Sequence, residues 1–193
     1  MALRLSSIVV AFALALVAPG FARAGGGSYV FAGGTPQEQT QVRAALDASS
    51  FDWSVVPQTI TVHIDHGHES EATPGAIWLD ADLVDSGRFA WATIQHEYAH
   101  QVDFFLLDDA KRAELQAALG GASWWSQAGE QHAQLASERF ASTLAWSFWQ
   151  SKSNALRPTS AADESAALPP AQFKMLLARV LGLPSLASRS PRP

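Results

Sequence analysis

The chain has 193 residues, no cysteine, 16% charged and 48% hydrophobic residues, and a formal net charge of −5 at pH 7. Without cysteine there can be no disulfide staple and no thiolate metal site. The acidic balance argues against a nucleic-acid or anionic-membrane partner, either of which would want a basic patch.

The first residues, Met1-Ala2-Leu3-Arg4, precede an apolar run from Ile8 to Val17, then Pro19-Gly20 and Ala22-Arg23-Ala24. A positive start, a short hydrophobic centre and small residues at the cut describe a secretory signal peptide over residues 1–24, with cleavage after Ala24. The run is too short to span a bilayer comfortably and Pro19-Gly20 breaks it, so export to the extracellular space or periplasm is expected, with no membrane partner after cleavage. What remains, about 170 residues, suits one domain, and seven Trp and ten Phe can pack its core. A monomer is expected.

Gly25-Gly26-Gly27-Ser28 and Gly33-Gly34 predict a flexible start over residues 25–35. Thr35-Pro36 then has the form of an N-cap with proline at the first helical position, and a helix over about 36–48 follows. The β-branched alternation Thr59-Ile60-Thr61-Val62-His63-Ile64 reads as a strand and Ala76-Ile77-Trp78-Leu79 as a second, with a polar loop from His66 to Gly75 between them. Apolar periodicity from about Ala90 to Leu107 predicts a helix, and a shorter one over Asp109–Leu119 is closed by Gly120-Gly121. Phe140, Leu144 and Phe148 form a stripe on a helix expected from Ser126 to Gln150. Residues 151–168 lack a pattern and read as a loop. Pro169-Pro170 opens a last helix through Leu181, and the tail from Ser185 is expected to be disordered. The fold class is α+β: a short mixed sheet, then a helical C-terminal half, in one domain over 36–184.

One helix carries the chemistry. His96-Glu97-Tyr98-Ala99-His100 reads H-E-x-x-H, and a chain with six His would match that pattern by accident only about 0.008 times. Histidines four apart are offset by roughly 40° and rise about 6 Å, so both can reach one zinc ion. Glu97, between them, can take a proton from water without binding the metal, the general-base role. Ile94, Tyr98, Val102 and Phe105 form a core-facing stripe, which leaves His96, His100 and Asp103 on another face.

Catalytic zinc usually keeps three protein ligands and a water, so a third side chain is required. Glu138, in Leu135-Ala136-Ser137-Glu138-Arg139-Phe140-Ala141-Ser142, is preferred because it sits beside an apolar stripe with small residues that let helices approach. Glu130 and His132 are alternatives. Asp103 lies one turn beyond His100, where three ligands from one straight helix would fan too widely, and is read as orienting an imidazole through its free N–H.

H-E-Y-A-H followed by Q-V-D, then about forty residues later S-E-R-F-A on a helix, resembles the gluzincin metallopeptidases. Within that group the details look closest to small secreted members related to the anthrax lethal factor catalytic domain and the Pro-Pro endopeptidases. The resemblance covers about residues 60–150. It implies a small zincin-like domain in which His96, His100 and Glu138 hold zinc and Glu97 is general base and acid. It also implies that the strand around Ile77–Asp80 is a sheet edge that binds substrate by backbone pairing. One departure concerns Ser142, which stands where many members carry an Asp that holds a motif histidine. Another concerns the group that stabilises the oxyanion, for which His132 is a candidate ahead of the loop histidines His63, His66 and His68. The expected activity is zinc-dependent hydrolysis of peptide bonds in a peptide or protein substrate. The rivals are an exported zinc-containing interaction protein without activity and an amidase acting on cell-wall peptides.

Overall fold

The computed structural model describes residues 27–125 and 131–183; the expected signal peptide, Glu130 and the expected disordered tail from Ser185 lie outside them. The described residues form an α+β fold of four strands and six helices, the sheet in the N-terminal half and most of the helical mass in the C-terminal half. No helix among them is long and apolar enough to cross a membrane.

The sheet has the order β1-β2-β4-β3, built from β1 (Ser28–Gly33), β2 (Thr59–Asp65), β3 (Glu71–Thr73) and β4 (Ala76–Asp80). β1 and β4 both run parallel to β2, while β3 is antiparallel to β4 at the edge. Strand alternation puts Ile60, Val62, Ile64, Ile77 and Leu79 on the core side, and turns His63 and Trp78 outward, where their rings stack at 4.8 Å.

The flexible start is in part a strand: Tyr29 is buried, and β1 pairs with β2 over its whole length. The strand Ala76–Asp80 is interior, and the edge is β3, formed within the stretch read as a polar loop. β3 is only three residues long, too short for a two-residue period to register.

Helix α1 (Pro36–Ala48) starts as its sequence specifies. Thr35 Oγ1 accepts from the Glu38 amide, and Glu38 Oε2 accepts from the Thr35 amide at 2.8 Å, which satisfies two otherwise unpaired groups. The short α2 (Ala81–Asp85) follows β4, and α3 (Trp91–Leu106) carries the motif.

α3 is more enclosed than an amphipathic helix over a cleft: Ala92 and every residue from Ile94 to Asp103 are buried. Ile94, Tyr98 and Val102 join the core. Gln95 donates to the Ala45 carbonyl of α1 at 2.7 Å. Gln101 accepts from the Gly75 amide and donates to the Thr73 and Ala76 carbonyls, so the residue after His100 ties the β3–β4 turn to the helix.

α4 (Asp109–Leu119) ends at Gly120 as expected, and α6 (Pro170–Leu181) closes on Gly182 in the left-handed region. Of the helix expected from Ser126, residues 126–130 lie outside the described residues, and α5 spans Ala136–Phe148. Ahead of it, His132–Gln134 make a 3-10 turn, and Leu135 pairs with Ser123 in a parallel bridge. With no side-chain cap, α5 finds acceptors for its first amides in the backbone: Ala136 donates to Ser123 and Ser137 to Trp124. Gly121 makes this approach possible, since at φ +111° any Cβ there would lie 2.9 Å from the Ala136 nitrogen.

Candidate metal centre

The motif residues of α3 face the first turn of α5. His96 Nε2 and His100 Nε2 stand 3.2 Å apart. Glu138 Oε2 lies 3.1 Å from the first and 3.4 Å from the second. Donors about 2.1 Å from a tetrahedral zinc are separated pairwise by about 3.4 Å. Two nitrogens and a carboxylate oxygen at these spacings therefore fit one zinc ion, and His96, His100 and Glu138 form the one cluster of metal-ligand type among the described residues.

The surroundings support the donor set. Both histidines are buried. Glu138 occupies the first turn of α5, where the helix dipole favours a negative charge. Burial alone would raise its carboxyl, but hydrogen bonds from His100 and His96 outweigh burial and hold it well below the ordinary carboxylate range. Burial likewise would lower His100, and the Glu138 hydrogen bond and charge reverse that into a raised value.

Glu97 is buried beside the cluster, and desolvation pushes its carboxyl up although the neighbouring imidazoles pull the other way. A carboxylate with a raised pKa is a better proton acceptor, which suits a general base.

His132 enters from the 3-10 turn ahead of α5. Its Nε2 is 3.0 Å from Glu138 Oε2 and its Nδ1 is 2.9 Å from Glu164 Oε1. Burial lowers its pKa, the Glu164 hydrogen bond and the charges of Glu138 and Glu164 raise it, and the net shift is upward. A largely exposed imidazole leaning over the metal cluster can donate to a bound carbonyl.

Asp103 does something other than orient an imidazole. It is fully buried, accepts from Arg112 Nε on one oxygen and from Trp124 Nε1 on the other, both at 2.8 Å, and so ties α3 to α4 and to the segment before α5. His96 is instead held by Ser142, whose Oγ lies 3.1 Å from Nδ1, and Ser142 donates onward to Glu164 Oε2 at 2.9 Å. Ser142 was visible in the sequence as a departure from the gluzincin pattern. Nothing marked Glu164, which lies in the stretch without a pattern.

The other three histidines, His63 on β2 and His66 and His68 in the loop after it, have local partners. His63 stacks on Trp78, His66 Nδ1 is 2.8 Å from Asp82, and His68 Nδ1 meets the Glu69 carbonyl. Tyr29 and Tyr98 are both in the core, so neither phenol reaches the centre. Beside His100, Phe104 and Trp125 stack at 5.5 Å with the Arg112 guanidinium over the Trp125 ring. Comparison with models of known families, with curated proteins and with solved structures finds no significant match.

Proposed function

We propose that this chain is an exported zinc-dependent metallopeptidase of gluzincin type. The observation that carries the reading is the near-equilateral triangle of His96 Nε2, His100 Nε2 and Glu138 Oε2, with the buried Glu97 one residue from the first ligand. Zinc held there would lower the pKa of water toward about 7 and polarise the scissile carbonyl. Glu97 accepts the proton of the attacking water and passes it to the leaving amine. His132 Nε2 donates toward the carbonyl oxygen as its charge grows. The short β3 edge, fixed to α3 through Gln101, is where an extended substrate adds a strand.

The test is digestion of a peptide library by the purified protein with and without chelator, beside zinc analysis. Chelator-sensitive cleavage with one zinc per chain is expected. Zinc without cleavage of any peptide supports the interaction-protein reading, and cleavage confined to cell-wall peptides supports the amidase.

A further inference from the structure

Glu164 uses its two carboxylate oxygens on two different imidazoles. Oε1 takes His132 Nδ1 directly at 2.9 Å, while Oε2 accepts from Ser142 Oγ, which stands 3.1 Å from His96 Nδ1. The direction of the second chain follows from counting hydrogens. An ionised carboxylate only accepts, and a serine hydroxyl has a single hydrogen to give. With that hydrogen directed at Glu164, Ser142 can only accept from His96, so Nδ1 carries a proton and Nε2 is the nitrogen left to serve a metal ion. Nε2 is the atom that faces His100 and Glu138.

We propose that Glu164 is a positioning residue that keeps a proton on Nδ1 and fixes the ring plane of both His96, through Ser142, and His132, by direct contact. One carboxylate thereby prepares a metal donor and orients the imidazole above it. Its placement is independent of that side chain, because the Glu164 backbone carbonyl accepts from Thr143 Oγ1 of α5 at 3.2 Å. The effect on turnover rests on the metallopeptidase reading; the effect on the Nδ1 protons and on metal affinity does not.

The experiment is ring-nitrogen NMR of the full protein, metal-free and zinc-loaded, together with zinc affinity by chelator competition, for wild type, the variants Ser142→Ala, Glu164→Ala and Glu164→Gln, and the double variant Ser142→Ala with Glu164→Ala. Wild type is expected to show Nδ1–H on both His96 and His132. Ser142→Ala should release His96 alone and weaken zinc about 10–100-fold, the usual cost of losing a partner that orients a ligand. Glu164→Ala should release both rings and weaken zinc by the same factor, and the double variant should be no weaker, since the two residues act in series on His96. Glu164→Gln is nearly isosteric but has one acceptor oxygen, so it should hold one ring and free the other, an outcome that mere packing would not produce. An unchanged Nδ1–H on both rings and unchanged zinc affinity in folded Glu164→Gln and Glu164→Ala would overturn the proposal. Absence of peptide cleavage by wild type leaves these readouts intact and counts against the metallopeptidase reading alone.

Discussion

Replacing Asp103 separates a structural carboxylate from one that serves the metal. The side chain has no solvent exposure and holds Arg112 Nε and Trp124 Nε1 at 2.8 Å each. Removing one member of a buried ion pair generally costs about 3–5 kcal/mol, because the partner is left charged and desolvated. Arg112 keeps the Asp103 backbone carbonyl at 3.1 Å and the exposed Asp109 at 3.6 Å, so Asp103→Ala should fall at the lower end, about 3 kcal/mol. For a domain of this size that corresponds to a Tm lower by roughly 6–12 °C. The assay is thermal unfolding of the metal-free protein, followed by zinc titration of the variant at a temperature where it is folded. Zinc affinity of the folded variant should match wild type. A tenfold loss of zinc affinity with little change in Tm would show that Asp103 orients a motif histidine after all, and the account of the α3–α4 contact would be wrong.

Glu97→Gln should retain zinc and lose turnover by about 10²–10⁴-fold, measured as kcat on a peptide substrate. Gly121→Ala should destabilise the fold by about 1–3 kcal/mol in chemical denaturation, since the residue is held at φ +111° against the start of α5. Asp163 caps the turn before Glu164 by accepting from the Thr159 and Ser160 amides, which pulls its pKa down to about 2. A depressed folded pKa means the cap contributes fully above the unfolded value near 4 and is lost as pH falls through about 2. Hydrogen exchange at the Thr159 and Ser160 amides should therefore accelerate over that window in wild type, and be fast and independent of pH, beyond the intrinsic chemistry, in Asp163→Ala.

Local signals were legible in the sequence wherever a residue's role depends on its near neighbours. The capping pair Thr35 and Glu38 begins α1, the alternation from Thr59 gives β2, and the apolar spacing around H-E-x-x-H gives α3. Glu138 was singled out because a catalytic zinc would demand a third donor, and its carboxylate does lie against His96 and His100. What depends on distant partners was not legible. β1 hides among glycines that suggest freedom, although Tyr29, Val30 and Phe31 are all good strand formers. α5 starts at Ala136 because the carbonyls of Ser123 and Trp124 receive its first amides, a long-range pairing that helical periodicity does not contain. Asp103 shares a turn with His100 but meets Arg112 and Trp124, nine and twenty-one residues away. Glu164 has no periodic pattern around it, and its importance lies in reaching Ser142 and His132 across the fold.

On the function proposed above, two side chains of α3 and one of α5 hold a single zinc ion. Zinc content and affinity of the purified protein, measured beside Glu138→Ala, address it most directly. One tightly held zinc per wild-type chain, and a large loss of affinity in a Glu138→Ala variant that remains folded, is the predicted result. A wild type that takes up no zinc, or a variant that holds it as tightly as wild type, would contradict the account.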